Sequence, residues 1–354
     1  MGNKCICLNS QKEPEIDSTQ LIDSKSNLQS EEKAQQPTLK SKRKPQTAAH
    51  EGHTELFKII LDKLSENNFT AEEISKEDFD KVLDSYPQVK RTIESTSNQM
   101  SEMDKEKENN SSLTKLPSVH ITKKDTNEDS YFEGYSNSTG DIEYGSLLTK
   151  NGHYYKGNLS NYQFNGKGLY ISPNGDYYLG DWENGESKGK GELVLQNGTK
   201  YVGDFVSNMK NGTGKENNED GSVYEGNYVN NEKDGKGTIT YKDGSVYRGD
   251  IVKGEMTGKG EYTWGDGRKY EGDFVNGNLN GQGKMTMADG SIYEGDYVNN
   301  VKHGNGSYKW NNGKTYSGNW VNNRPEGNGV LEYANKKYDV LFRYGKIISA
   351  KLHN

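Results

Sequence analysis

Two groups of residues in this 354-residue chain have types and spacings that could do chemistry. The first is the opening stretch Met1-Gly2-Asn3-Lys4-Cys5-Ile6-Cys7. Gly2, once the methionine is removed, offers its amino group for amide acylation. The myristoylation pattern asks for Ser or Thr at position 6, where this chain has Ile6. Cys5 and Cys7 are the only cysteines, and their thiols offer thioester acylation beside that amine. A single myristoyl chain binds a bilayer with K on the order of 10⁴ M⁻¹, so stable anchoring takes a second signal, which the two cysteines would supply. Lys4 and the basic knot Lys40, Lys42, Arg43 and Lys44 would add attraction to anionic lipid. The second group is a recurring G-x-G, such as Gly189-Lys190-Gly191. It does not sit between a strand and a helix, so it is no dinucleotide fingerprint.

No other set of reactive residues suggests catalysis. The six histidines (His50, His53, His120, His153, His303, His353) form no metal set. Both cysteines lie at the extreme N-terminus, away from any fold that would hold a Cys/His dyad. Asp181, Asp204, Asp250, Asp273 and Asp296 recur beside one strand of the pattern described below and read as solvated surface. The expectation is a protein without enzymatic activity, cofactor or metal.

Composition narrows the class further. Hydrophobic residues make up 29% of the chain and mean hydropathy is −1.08, while glycine (42) and tyrosine (24) are abundant. The net charge of −7 disfavours a general nucleic-acid binder. Two cysteines build no disulfide framework, which points to a reducing compartment. No apolar run approaches the length of a transmembrane helix, and no apolar segment follows Met1 as a secretory signal would require.

The chain changes character near residue 130: of the tyrosines only Tyr86 precedes it, and of the glycines only Gly2 and Gly52. Four segments follow. Residues 1–49 have no apolar period and read as a disordered tail carrying the lipidation site. Residues 50–94 hold a short helical segment. Leu56, Ile59, Ile60 and Leu64 recur at helical spacing, as do Phe79, Val82, Leu83 and Tyr86, so 54–86 reads as a helical hairpin ended by Pro87. Residues 95–130 read as a linker, and 131–354 as a repeat domain.

The repeat has a period of 23. Tyr155, Tyr178, Tyr201, Tyr224, Tyr247, Tyr270, Tyr293 and Tyr316 lead eight units. Two residues after each comes Gly157, Gly180, Gly203, Gly226, Gly249, Gly272, Gly295 or Gly318, and a G-x-G follows further on. Tyr, Gly and an apolar residue at the fifth position (Leu159, Trp182, Phe205, Tyr228, Ile251, Phe274, Tyr297, Trp320) alternate with mostly polar residues, the period of a strand. Asn-Gly or Asp-Gly, as at 174–175 and 243–244, joins one unit to the next and reads as a two-residue hairpin turn, with the longer loop placed before G-x-G. The expected fold is an all-β repeat array, an elongated and twisted antiparallel meander in which rings lie over bare glycines. A partial unit precedes the array at Phe132-x-Gly134, and another follows it from Tyr338.

The pattern Y-x-G-x-[W/F/Y]…G-x-G, as in Tyr270–Lys284, resembles the MORN repeat (membrane occupation and recognition nexus), over residues 132–345 in about eight full copies and two partial ones. The opening MGNKCIC is similar to the dual-acylation N-termini of Src-type kinases and G-protein α subunits. Ala48–Leu64 is similar to the helix–turn–helix of one ankyrin unit, with no second copy. The MORN resemblance implies an interaction scaffold, often at a membrane or in a cytoskeletal assembly. Three functions stand open at this point. One is a lipid-anchored scaffold on the cytoplasmic face of a plasma, cortical or ciliary membrane, binding proteins or forming a homodimer. Another is a phosphoinositide-binding or lipid-kinase-regulating module. The third is a ciliary structural component of the radial-spoke type.

Overall fold

The computed structural model describes residues 71–72, 80–81, 83–110, 119–125, 130–136, 141–161 and 163–353. Two compact units divide the chain, one within 41–255 and the other from Met256 onward. Each is an antiparallel meander in which consecutive strands pair.

One hairpin shows how a unit is made. Tyr177–Glu183 pairs with Glu186–Val194, placing Tyr178 opposite Leu193, Gly180 opposite Gly191 and Trp182 opposite Ser187. Glu186–Val194 then pairs with Lys200–Val206, placing Gly191 opposite Gly203. The lead glycine and the second glycine of each G-x-G therefore face one another strand after strand, as a ladder across the sheet. The lead tyrosine covers that ladder. A Cβ on Gly191 would stand 2.4 Å from the Tyr178 ring, and one on Gly180 would stand 2.6 Å from the Gly191 Cα. The Tyr178 hydroxyl reaches past both glycines and donates to the Asp181 carbonyl (2.9 Å). All eight lead tyrosines make this bond to the residue three places on, as at Tyr201 (3.0 Å) and Tyr247 (2.6 Å). All eight are fully buried. Edge-to-face contacts link lead rings to the next unit where its fifth position is aromatic: Tyr178 to Phe205 at 4.9 Å, Tyr201 to Tyr228 at 5.0 Å, Tyr293 to Trp320 at 5.1 Å. The core is thus a single layer of rings on glycine, which accounts for a stable sheet from so few aliphatic residues.

The turns reverse the expected assignment. The tight two-residue turn lies inside each unit, at Asn184-Gly185, Ser207-Asn208, Asn230-Asn231 and Asn299-Asn300, where both residues have positive φ. Asparagine tolerates that conformation, so a glycine is not obligatory there. The junction between units is instead a three-residue loop: Gly198 N–H donates to the Leu195 carbonyl (2.9 Å), Leu195 N–H donates to the Thr199 carbonyl (2.9 Å), and only Gly198 is left-handed (φ 89°). A type I turn followed by a left-handed glycine is the usual three-residue hairpin loop. The last junction substitutes Ala334-Asn335, a two-residue turn with both φ positive. One residue is missing, which is why Tyr338 follows Tyr316 by 22 rather than 23.

The region upstream also departs from expectation. The helical residues 80–81 and 83–84 stop short of Pro87, as expected, but Pro87 also begins a second helix, α1 (Pro87–Asn110). At the first helical position proline loses nothing, because that N–H has no helical acceptor. α1 begins in the segment read as helical and runs on into the one read as a linker, which also holds the strand Val119–Asp125, paired with Ser130–Ser136. Ala71–Glu72, inside the expected 54–86 hairpin, is a short strand against Asp125 and Lys124. The remainder of the expected 54–86 hairpin lies outside the described residues, apart from helical residues 80–81 and 83–84 and the non-helical residues 85–86.

Candidate interaction surface

Each strand presents two faces, and the lead tyrosines occupy one. The opposite face of the first unit holds α1. Val89, Met100 and Leu83 pack with Leu148, Tyr154, Leu169 and Ile171, and Ile93, Tyr86, Tyr177 and Leu179 border the cluster. Tyr154, Leu169, Ile171 and Leu179 alternate with the core positions Tyr155, Tyr170 and Tyr178, which places them on the far side of the sheet. Buried threonines complete the contact. Thr92 Oγ1 donates to the Gln88 carbonyl (3.0 Å), with the Gly175 carbonyl at 3.3 Å, and Thr96 Oγ1 donates to the Thr92 carbonyl (2.8 Å). Tyr86 lies against Gly152 and its hydroxyl donates to the Lys150 carbonyl.

This docking face was not recognised in the sequence, although a signal exists. The equivalents of Leu169 in the next six units are Glu192, Lys215, Thr238, Glu261, Lys284 and Ser307, and an apolar residue returns at Val330 in the last full unit. The apolar run Leu169, Ile171 and Leu179 marks where the helix is received.

Beyond α1 the face is mostly polar, and its aspartates and lysines are matched to one another. The recurring aspartates are not free surface groups. Each G-x-G opens with a bulge at a left-handed glycine, as at Gly189 (φ 75°), and the aspartate caps it. Asp181 accepts from Lys190 N–H (3.1 Å), Asp204 from Thr213 N–H (2.8 Å), Asp273 from Gln282 N–H (3.0 Å) and Asp296 from Asn305 N–H (2.8 Å). A lysine from the preceding strand joins from the other side: Lys167–Asp181 at 2.8 Å, Lys190–Asp204 at 2.5 Å, Lys236–Asp250 at 2.5 Å and Lys259–Asp273 at 2.6 Å. For Asp204, partial burial pushes its pKa up, but Lys190 and the Thr213 donors outweigh this and hold it below the usual value. A row of half-exposed valines, Val206, Val229 and Val252, ends successive lead strands of the first unit, and Val275, Val298 and Val321 repeat it in the second.

The tyrosine face carries one buried charge cluster. Glu216 lies between Lys210 and Lys233, the latter at 2.9 Å. Burial pushes the Glu216 pKa up, and the two ammonium groups together leave it lowered. Lys302, also buried, lies over the rings of Tyr293, Tyr308 and Trp320 at 5.2, 4.9 and 5.7 Å. His153 is buried with Nδ1 2.8 Å from the Tyr170 hydroxyl, and His353 Nδ1 is 2.9 Å from Asp339. Among the described residues no three His, Cys, Asp or Glu side chains are arranged to hold a metal ion.

Of the residues singled out in the sequence, the lead tyrosines and glycines belong to the core. Gly2, Lys4, Cys5, Cys7, Lys40, Lys42, Arg43 and Lys44 lie outside the described residues.

The MORN repeat model matches eight consecutive segments: 155–177, 178–200, 201–223, 224–246, 247–267, 270–292, 293–315 and 316–338. The chain belongs to the MORN-repeat family. No curated protein matches the sequence. Among solved structures it is similar to the TCP10 domain of Danio rerio CPAP in complex with a peptide of Danio rerio STIL, at 14% identity and a TM-score of 0.37, over 66% of this chain and 99% of that one. It is also similar to the TCP domain of SAS-4 (dCPAP) of Drosophila melanogaster in complex with a proline-rich motif of Ana2, at 13% identity and a TM-score of 0.22, over 53% and 84% of the chains. A virginiamycin B lyase from Staphylococcus aureus matches at 8% identity and a TM-score of 0.14, over 64% and 95%.

Proposed function

We propose that this protein is a non-enzymatic MORN scaffold, tethered by acyl groups on Gly2 and on Cys5 and Cys7 to the cytoplasmic face of a membrane, where its repeats bind proteins. The observation that carries the scaffold part is how the side chains are used. Every lead tyrosine is spent on the glycine ladder inside the sheet. The opposite face already receives a helix of the same chain, and its lysines and aspartates neutralise one another. Such a face suits protein contacts better than the capture of polyanionic headgroups, which needs unpaired basic charge. The tether supplies the membrane affinity that a matched surface lacks.

The test is metabolic labelling with clickable myristate and palmitate together with membrane fractionation of wild type, Gly2→Ala and Cys5→Ser/Cys7→Ser. Both labels on the wild type, and release of both variants into the soluble fraction, support the tether. An unlabelled wild type that still sediments with membranes would instead assign the affinity to the repeats and favour phosphoinositide binding.

A further inference from the structure

Two junction loops of the second unit, two periods apart, are built alike and differ in one charge. They are Trp264-Gly265-Asp266-Gly267-Arg268 and Trp310-Asn311-Asn312-Gly313-Lys314. In both, the tryptophan N–H donates to the carbonyl of the closing cation (2.9 Å), and the glycine before that cation donates to the tryptophan carbonyl (3.0 Å). Gly267 and Gly313 are left-handed, at φ 91° and 83°. Each tryptophan leans on the tyrosine two places before it, Tyr262 at 4.6 Å and Tyr308 at 4.7 Å. Each cation lies over the indole, Arg268 at 5.0 Å and the Lys314 Nζ at 4.8 Å. The third position is where the loops part. Asp266 accepts from the Arg268 backbone N–H with Oδ1 (3.1 Å) and from its Nε with Oδ2 (2.8 Å). Asn312 repeats the first bond, to the Lys314 N–H (3.1 Å), but carries an amide nitrogen in place of the second oxygen. That nitrogen is a donor and has nothing to offer an ammonium group. Lys314 is 7% exposed, and among the described residues no carboxylate pairs with it. Burial alone moves its pKa, downward from the usual lysine value.

Resting on the scaffold reading above, we infer that Lys314, backed by the Trp310 ring, is a docking point for an Asp or Glu side chain of a partner protein. The partner's carboxylate takes the place that Asp266 holds in the duplicate loop. An ammonium buried without a counter-charge is costly, and a carboxylate oxygen relieves that cost, as Asp266 does for Arg268. Elsewhere on the tyrosine face Lys210 and Lys233 share Glu216, so Lys314 stands apart. The place is open to a partner: the Asp266 side chain is 54% exposed, and Asn312 is exposed as well. A single ammonium matches the single charge of a carboxylate. A phosphoinositide headgroup calls for several basic groups together, and the corresponding cation, Arg268, is already paired. The surroundings favour a side chain over a free ion. Trp310 is half-buried, and the 46% exposed Tyr333 ends the adjoining strand Arg324–Tyr333 on the face shared by Leu331 and Tyr316. These rings offer apolar surface to the residues on either side of the acid. The chain's net charge of −7 repels acidic peptides in general, so their capture depends on this one point.

The test uses the unacylated full-length chain and two short rhodamine-labelled peptides with blocked termini. One carries a single glutamate between two leucines; the other has glutamine in its place. The glutamate peptide should give saturable anisotropy that weakens as salt is raised, and the glutamine peptide should not bind. Lys314→Gln should weaken binding about tenfold or more. Asn312→Asp should weaken it as much, because Lys314 would then have a carboxylate from its own loop. The fold accepts that change, since aspartate already stands at this loop position as Asp220, Asp243, Asp266 and Asp289. Binding that survives Asn312→Asp, or no binding of the glutamate peptide up to about millimolar protein, overturns the inference. Acetate and inorganic phosphate are added at constant ionic strength. Displacement of the peptide by either at concentrations as low as the peptide's own Kd would make this a general anion site and overturn the assignment to a protein side chain. A parallel arm with phosphoinositide-containing vesicles separates the two levels. Vesicle binding by this unacylated chain would overturn the scaffold reading itself, whereas failure of the peptide arm alone leaves that reading standing.

Discussion

At the level of single residues, the array depends on glycines for two different reasons, and substitution should separate them. Gly191 has ordinary extended backbone but no room, since a Cβ would enter the Tyr178 ring. Gly198 has open space around it but a left-handed backbone (φ 89°). Gly191→Ala is expected to cost about 1–3 kcal/mol through overpacking, and Gly198→Ala about 1–2 kcal/mol through strain alone. Adding Tyr178→Ala to each, and following urea denaturation, tells them apart: coupling should appear with Gly191→Ala and be absent with Gly198→Ala. The tyrosines also set a response to alkali. Burial pushes Tyr224 and Tyr316 up to about 12 from an ordinary value of 10.0, and the other lead tyrosines are raised as well. A raised folded-state pKa means the native chain keeps protons that the unfolded chain releases. The stabilisation is complete below pH 10 and is lost as pH rises toward 12. Tyrosinate absorbance should therefore appear in one cooperative step that coincides with loss of the β-sheet signal; gradual titration with the sheet intact would contradict the burial argument.

At the level of elements, the tight turn inside each unit brings a complementary pair face to face. Trp182 stands opposite Ser187, Tyr228 opposite Lys233, Phe274 opposite Leu279 and Leu159 opposite Phe164. A large ring faces a small or flexible side chain, and a smaller residue faces a ring, so the combined volume is held. Ser187 is wholly buried against this neighbourhood. Ser187→Leu should destabilise by about 1–3 kcal/mol. Combining it with Trp182→Leu should recover part of that loss, and simple additivity in thermal melts would refute the pairing. The repeat period, the shared face of Tyr and Gly and the ring-on-glycine packing were all legible in the sequence, because they depend on residue type at fixed spacing. The turns were misassigned because Asn-Gly fits both a two-residue turn and the end of a three-residue loop. The true two-residue turns hide their signature by using Ser207-Asn208 or Asn230-Asn231 in place of glycine. Helix α1 was missed because two of its buried positions are Thr92 and Thr96, whose hydroxyls are satisfied by the carbonyls one turn back. That leaves Val89, Ile93 and Met100 as a sparse apolar stripe in a Ser/Lys/Glu background. Val89→Asp should detach α1 and expose Leu148, Leu169 and Ile171. The expected result is increased binding of a hydrophobic dye, with the sheet's circular dichroism retained.

At the level of the whole molecule, a repeat array is held together mainly by contacts between neighbours, so its stability should be close to a sum of units and junctions. The structure says which deletions respect that rule. Removing residues 270–292 takes out one full period of 23, two strands with their turn and loop. Tyr293 then follows Lys269 with strand direction, face and glycine register all preserved. The rings that surround Lys302 lie downstream of the cut and are untouched. Removing residues 270–280 takes out about half a period, including the lead strand Lys269–Val275 almost entirely. An odd number of strands is then lost. Every later strand would have to run the other way against its neighbour, or shift so that tyrosines no longer meet glycines. The full-period deletion should remain a monodisperse β-protein, with a melting temperature lowered by about 2–4 °C per kcal/mol of lost junction energy. The half-period deletion should lose cooperative melting and aggregate. Size-exclusion chromatography and thermal melts on both decide the matter: if both deletions behave alike, the 23-residue period is not the cooperative unit, and the glycine ladder is not what sets the register.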